Sequence, residues 1–361
     1  MSKIEELRKV IDGIDDRILE LLNQRAKVVI EVGNVKKQEK AELHVPNREK
    51  AILDRLTSKN PGPFPGESLQ AVFREIFSAS LSLEQPVKVA YLGPRATFTH
   101  LACLQHFGYS AQYVPVNSIK EVFVEVERGL AEYGVVPVEN SIEGVVSYTL
   151  DMFMESELKI SAEIMLEVSE NLMNKTGKME DVKKVCSHPQ PIGQCRGWLE
   201  SNLKGIPVAE VSSTARAAEM AAEDTSLAAI GSRLAAEIYG LRIIKERIED
   251  SSNNYTRFLV ISRKSPSKTG RDKTSILFSV KDKAGALYET LKPFAAHGIN
   301  LTKIESRPSR KKAWEYHFFV DMEGHYDDPE VRAAVDELGK NCVFIKVLGA
   351  YPAVEDGPDK G

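Results

Sequence analysis

Ile4, Leu7, Ile11, Ile14, Ile18, Leu21, Leu22, Val28, Val29 and Val32 recur at helical spacing with no proline among them. This predicts one helix of about 35 to 40 residues, on the order of 55 Å long, with Gly13 and Gly33 as its weak points. A helix that long has too little of its own domain to cover it, so the pattern calls for pairing with a second chain. A second helix is expected from Asn47, as its N-cap, to just before Pro61. The run Pro61-Gly62-Pro63-Phe64-Pro65-Gly66 is a hard stop, and a third helix is expected over 67–84. Residues 1–85 thus read as one all-α domain.

At Gln85-Pro86 the pattern changes. Short apolar runs at 87–93, 112–116, 133–138, 183–188, 206–211, 226–231 and 256–264 alternate with helical stretches. This argues for an α/β domain over 86–264 with a largely parallel sheet, whose ligands sit at the carboxyl ends of strands. The stretch near 156–176 is expected to cross between two lobes. Residues 265–272 form a polar linker. From 273 to 352 the order strand, helix, strand, strand, helix, strand is the ferredoxin-like βαββαβ arrangement, with 353–361 as a frayed tail.

Composition removes several function classes. A net charge of −4 gives no reason to expect nucleic-acid binding, and no apolar run approaches the roughly 18 residues of a membrane span. The N-terminus carries neither an apolar signal-peptide core nor a cleavage site, which disfavours export. The cysteines (Cys103, Cys186, Cys195, Cys342) form no CxxC pair, which argues for a reducing cytoplasm and against a disulfide framework. Cys186, His188 and Cys195 match no common metal spacing. Neither a metal nor a cofactor is expected.

Arg8, Arg25, Lys36 and Arg48 lie in the helical domain. Arg25 and Lys36, eleven residues apart, fall within about 20° of one helix face and about 16 Å along the axis, close enough to converge on a small dianion. Arg8 is roughly 25 Å from Arg25 and rotated by about 100°, so a site using it borrows it from another subunit. Taken by spacing alone, these cations read as solvated surface charges. The segments LRKVIDGIDDRILELLNQR, EVGNVK and NRE, however, resemble the all-helical chorismate mutases, and the resemblance continues to about Glu84. It implies that Arg8, Arg25 and Lys36 clamp the carboxylates and ether oxygen of chorismate, with Arg48 adding charge. Glu49 and the backbone at Val45, where some relatives carry aspartate, would take the substrate hydroxyl, and Ser80 would meet a carboxylate. A Claisen rearrangement needs no base, nucleophile or metal, only a folded substrate and fixed positive charge at the breaking ether bond. Glu84 stands where many relatives have a glutamine that donates to the ether oxygen. An ionised carboxylate cannot donate, so mutase activity is expected to rise as pH falls toward 5.

In the α/β domain, Gly93-Pro94-Arg95-Ala96-Thr97-Phe98-Thr99 follows a strand and opens a helix, a natural carboxylate site or a simple cap. Val136-Pro137-Val138-Glu139-Asn140-Ser141, Ser187-His188-Pro189-Gln190 and Ser212-Ser213-Thr214-Ala215 also follow predicted strands, and Asn253-Asn254-Tyr255-Thr256-Arg257-Phe258 enters the last one. His188 can be read as an acid–base group or as a proline-flanked structural histidine. In this order the motifs resemble prephenate dehydratase over roughly 87–264, with Thr-Arg-Phe the most specific mark. The resemblance implies that Thr256 donates to the departing ring hydroxyl of prephenate and that Arg257 holds a carboxylate or keeps Thr256 in place. Glu139, Asn140, Ser141, Ser213 and Thr214 would line the pocket, with Thr97 and Thr99 nearby.

In the tail, Gly285-Ala286-Leu287-Tyr288 and Glu305-Ser306-Arg307-Pro308, set in a βαββαβ frame, resemble the ACT regulatory domains of phenylalanine-feedback enzymes. Gly285, Ala286, Leu287, Glu305, Ser306 and Arg307 would then bind L-phenylalanine between two such domains. Together the three resemblances imply a bifunctional enzyme of phenylalanine biosynthesis that takes chorismate to prephenate and prephenate to phenylpyruvate, as a homodimer or dimer of dimers. A dehydratase with a purely dimerising helical domain, and an amino-acid-responsive sensor, remain the alternatives; only turnover separates them.

Overall fold

In a computed structural model, the structure describes residues 2–39, 46–84, 86–280, 283–308 and 316–354. The chain divides into two compact units, residues 1–88 with 107–112, and the remainder.

The first unit is helical: α1 (Lys3–Glu39), α2 (Pro46–Lys59) and α3 (Gly66–Glu84). At 37 residues, α1 matches the length its periodicity predicts. Asn47 is not the N-cap of α2. The helix already includes Pro46, whose fixed φ suits a first helical position and whose missing N–H costs nothing there. Ile4, Leu7, Ile11, Ile14, Ile18, Leu21 and Val28 of α1 are all at least half exposed in the single chain. Gly33 is no weak point: a Cβ there would lie 2.9 Å from Glu84 Cγ, so its missing side chain lets α3 close on α1.

The second unit holds two α/β lobes and a C-terminal α+β domain. Its chain runs β1 (Lys88–Leu92), α4 (Phe98–Phe107), β2 (Gln112–Val116), α5 (Ile119–Glu127), β3 (Tyr133–Asn140), β4 (Gly144–Val145), α6 (Ser147–Glu155) and β5 (Lys159–Glu167). The second lobe follows with β6 (Asn171–Asn174), β7 (Lys184–Ser187), α7 (Pro189–Gln194), α8 (Arg196–Asn202), β8 (Val208–Glu210), α9 (Thr214–Glu223), β9 (Leu227–Gly231), α10 (Arg233–Tyr239) and β10 (Arg242–Lys245). The chain then returns to the first lobe as β11 (Tyr255–Ser262). The first sheet has the order β2-β1-β3-β11-β5, with β4 on β3, and the second the order β10-β6-β9-β7-β8. The expected crossover at 156–176 is there, as β5 in one sheet leads to β6 in the other. The sheets are mixed rather than largely parallel: β11 runs antiparallel to both β3 and β5, and β6 antiparallel to β9 and β10. Strands that re-enter a lobe after a crossing need not follow the βαβ rule behind that expectation.

The crossing holds a buried carboxyl. Glu170 is 1% exposed, and its backbone N–H donates to Glu249, in the segment between β10 and β11, at 2.9 Å. Burial, then the charge of Glu249, pushes its pKa up to about 8. Because the folded value lies above the unfolded one, the fold is penalised increasingly as pH rises from the ordinary carboxylate range to about 8. Glu170→Gln should therefore gain stability over wild type as pH rises through that window, with the gain level above it. Urea unfolding at a series of pH values measures this; a pH-independent difference contradicts it.

The C-terminal domain is β12 (Asp272–Val280), α11 (Ala286–Ala296), β13 (Leu301–Pro308), β14 (Tyr316–Glu323), α12 (Pro329–Asn341) and β15 (Cys342–Pro352), in sheet order β13-β14-β12-β15. It reproduces the predicted βαββαβ order. Alternation along its strands sends Ile276, Phe278, Val320 and Met322 toward α11 and α12. Leu277, Phe319, Leu348 and Tyr351, on the other face, share one core with Ile160, Leu259 and Phe153 of the first lobe. Gly349 allows this closeness, since a Cβ there would lie 2.3 Å from the Ile160 carbonyl oxygen.

Candidate functional site

Four of the mutase candidates meet between α1 and α3. Arg25 donates through Nη1 to Ser80 Oγ and lies 5.5 Å from the Phe77 ring centroid. Lys36 Nζ donates to Glu84 Oε2 at 3.3 Å, one helical turn beyond Ser80. Burial draws the Arg25 guanidinium below its ordinary value, and the charge of Glu49 opposes that shift, which places Glu49 in the same electrostatic field. Arg25 and Ser80 also line an apolar groove of about 710 Å³, together with Ile18, Leu22, Ile76 and Leu83. Arg48 is exposed on α2, and Arg8 is exposed far along α1. Val45 lies outside the described residues.

The dehydratase candidates separate into two groups, and strand alternation does the sorting. In register, Thr256 of β11 faces Asn140 of β3, and Arg257 faces Glu139. Asn140 Nδ2 donates to Thr256 Oγ1 at 2.9 Å, and Ser141 Oγ donates to the Asn253 carbonyl at 2.9 Å, locking the strand ends together. Arg257 and Glu139 instead turn to the C-terminal domain. Arg257 donates to Glu163 (Nε–Oε2 2.9 Å), Asp321 (Nη1–Oδ2 2.6 Å) and Tyr351 (Nη2–Oη 3.0 Å), and Lys303 of β13 bonds to Glu139. Neither side chain shares the Thr256 face, where the sequence had placed Glu139 in the pocket; one residue along a strand reverses the face, which leaves Arg257 the other role suggested for it, keeping Thr256 in place.

The remaining pocket candidates open helices. Thr97 Oγ1 accepts from the His100 N–H at 3.4 Å, Thr99 is buried in α4, and Ser213 caps α9 by accepting from the Arg216 N–H at 3.0 Å, with Thr214 beside it. Ser232 of the second lobe donates to the Ala96 carbonyl at 3.3 Å, so the turn before α4 meets that lobe. His188 is a cap: its Nδ1 accepts from the Gln190 N–H at 3.4 Å. His100, unremarked in the sequence, accepts the Ala96 N–H at 3.1 Å through Nδ1 and stacks on Tyr91 at 5.0 Å. Burial and then Arg95 lower it to about 4, so it is neutral.

Of the effector candidates, Gly285 has φ 76° and open space where a Cβ would stand, and it leads into Ala286 and Leu287 of α11. Along β13, Glu305 and Arg307 share the face toward the first lobe, where Arg307 Nη2 donates to Asp151 at 3.4 Å, while Ser306 faces the helices and is exposed. Sequence reasoning missed Glu163, Lys273, Ser275, Asp321 and Tyr351, which surround Arg257 from distant strands with no shared motif.

Comparison with known proteins matches this anatomy piece by piece. Residues 7–85 match chorismate mutase type II, 89–266 prephenate dehydratase, and 274–340 the ACT domain. A bifunctional chorismate mutase/prephenate dehydratase from Aquifex aeolicus is 53% identical over 356 residues, spanning 98% of each chain. The chain belongs to the bifunctional chorismate mutase/prephenate dehydratases. Among solved structures, a prephenate dehydratase in complex with L-Phe from Arthrobacter aurescens has a TM-score of 0.68 at 35% identity, covering 74% of this chain and 90% of its own. A protein described as a novel type of quorum quenching acylase also has a TM-score of 0.68, at 31% identity, and covers 74% of this chain and 98% of its own. As a member of the bifunctional family, the chain is an enzyme with both a mutase and a dehydratase activity. No helix among the described residues is long and apolar enough to cross a membrane.

Proposed function

We propose that chorismate binds between α1 and α3 and prephenate beside Thr256, so that one chain converts chorismate to prephenate and prephenate to phenylpyruvate, carbon dioxide and water. The convergence of Arg25, Lys36, Ser80 and Glu84 supports this reading most, because a helical seam built only for association has no use for half-buried cations held by polar partners. Arg25 and Lys36 hold the substrate's carboxylates and steady the charge growing on the ether oxygen as the C–O bond breaks. Arg48 and Glu49 complete the site. Arg8 comes from a second chain, docked along the exposed apolar face of α1, in a homodimer or dimer of dimers.

In the second step the bond to the ring carboxylate breaks, its electron pair enters the ring, and hydroxide departs. Thr256 donates its hydrogen bond to that hydroxide. Aromaticity supplies much of the driving force, so the demand on the protein is orientation and one well-aimed donor. Thr97, Thr99, Asn140, Ser141, Ser213 and Thr214 surround the cleft, and Glu139 and Arg257 brace its strands from behind. L-Phenylalanine binds at the C-terminal domain through Gly285, Ala286, Leu287 and the strand end Glu305, Ser306 and Arg307, where Arg307 also meets the first lobe. The free thiols fit a reducing compartment, the cytoplasm.

A coupled assay tests this. Purified protein fed chorismate should yield phenylpyruvate, and less of it when L-phenylalanine is present. Consumption of prephenate but not chorismate would make the helical unit a dimerising element, and turnover of neither would favour a sensor. Glu84 supplies a second check. In the free protein it accepts from Lys36, so it acts as a donor only when protonated and when the substrate has drawn Lys36 away. Glu84→Gln, which donates without taking up a proton, should therefore raise mutase turnover at neutral pH. A variant no faster than wild type refutes the role.

A further inference from the structure

We infer that Asn254 is a positioning residue for the dehydratase reaction: acting through Asn140, it keeps the Thr256 hydroxyl a hydrogen-bond donor aimed at the leaving group. This rests on the assignment of Thr256 above. The chemistry turns on which end of the Asn140 amide meets Thr256. Asn140 Oδ1 receives the backbone N–H groups of Ile142 and Glu143, both at 3.0 Å. Backbone N–H groups only donate, so the oxygen must face them and the NH2 must face β11. Thr256 Oγ1 accordingly accepts, at 2.9 Å, and its single hydrogen is left for another acceptor. The reverse orientation would draw that hydrogen onto Asn140 and silence the donor.

The aim of the NH2 group is a separate matter from its identity. Its two hydrogens have three acceptors within reach: Thr256 Oγ1, Asn254 Oδ1 at 2.8 Å and the Tyr255 carbonyl at 3.3 Å. Asn254 takes one hydrogen at the shortest distance, which fixes the amide plane and directs the other to Thr256. Without Asn254, the Tyr255 carbonyl competes and the plane turns. Asn254 is itself 1% exposed, and its own NH2 donates to Gln194 Oε1 of α7 at 2.9 Å, so its oxygen is committed to Asn140. The orientations are thus set outward from the Ile142 and Glu143 N–H groups, through Asn140 and Asn254, to Gln194 of the second lobe.

A double-substitution cycle on the full-length enzyme tests the relay. Asn254→Ala should lower kcat for prephenate by ~10- to 100-fold with KM within about 3-fold. In a Thr256→Ala background the same change should cost less than about 3-fold, because the group it serves is gone. Chorismate turnover by the same preparations reports an intact helical unit, and thermal unfolding reports the rest. Asn254→Asp supplies a variant that keeps the acceptor. Gln194 Nε2, buried with no partner among the described residues, can turn to donate to it. That variant should recover most of the loss, and it decides the matter should Thr256→Ala be indistinguishable from buffer. Equal losses in both backgrounds, a change confined to KM, or equal failure of the Ala and Asp variants at unchanged stability would overturn the inference. Full activity in Thr256→Ala would overturn the Thr256 assignment and this inference with it.

Discussion

Thr256→Ala, fed chorismate, should accumulate prephenate: the dehydratase rate falls on the order of 10²- to 10⁴-fold, the range associated with one positioned proton donor. Chorismate consumption should be unchanged, because Thr256 lies in the second unit and the mutase candidates in the first. The side chain carries little of the fold. It is partly exposed, while Phe258, Leu259, Val260 and Ile261 anchor the same strand in the core. Thr256→Val, which keeps the branched shape without the hydroxyl, should fail as badly as alanine, and Thr256→Ser should keep a measurable share. Progress curves for prephenate and phenylpyruvate separate these cases. A valine variant as active as wild type would mean that the departing hydroxide is assisted from elsewhere.

The second large effect is on stability. Arg257→Leu should destabilise the second unit by about 3–5 kcal/mol, since it strips a buried ion-pair partner from two carboxylates at once. The side chains of Arg257, Glu163 and Asp321 are 12%, 1% and 12% exposed, so water cannot take the place of the guanidinium. Lys273 still pairs with Glu163 at 2.8 Å and Ser275 still donates to Asp321 at 2.5 Å, which tempers the loss. The dependence on pH is diagnostic. Burial raises Asp321, but the Arg257 guanidinium and the Ser275 hydroxyl outweigh it and leave the carboxyl below its ordinary value of 3.8. In wild type this contribution is therefore present at neutral pH and lost only in acid, as pH falls through the depressed value. In the variant, burial is largely unopposed and the folded pKa moves up, so the fold is penalised most at high pH. The gap between the two proteins should narrow as pH falls from 7 toward 4. Chemical unfolding followed at several pH values measures it, and a gap that is constant or widens in acid contradicts the account.

Much of this was legible in the sequence. Local periodicity gives α1 to within a few residues, and turn chemistry places the breaks at Pro61 and Gln85. The βαββαβ order of the tail follows from alternating runs alone. Residues that come together within one element or one turn were also visible, as with Arg25 and Lys36 on a single helix face. What stayed hidden depends on register. Nothing local distinguishes the face of Thr256 from that of Arg257 until β11 is paired with β3. Asp321 and Tyr351 reach Arg257 only because a distant sheet packs on the first lobe. Gly33 looked like a defect in a helix because the Glu84 side chain that fills its space is about fifty positions away. The direction of the β11 pairing was missed for a similar reason: a strand that returns after a lobe crossing carries no mark of which way it enters.

The Thr-Arg-Phe triplet takes on a different meaning once its three side chains are followed. Thr256 opens toward Asn140, Arg257 ties the strand to the C-terminal sheet, and Phe258 is 2% exposed in the interior. Three adjacent letters thus report on three separate neighbourhoods. Their joint appearance in a sequence records an assembly, and in the proposed mechanism the chemistry depends on only the first. A homologue that had lost the C-terminal sheet would be released from the middle letter while still bound to the first and last. Drift confined to that one position would then be a fossil of the missing domain, readable in a genome before any activity is measured.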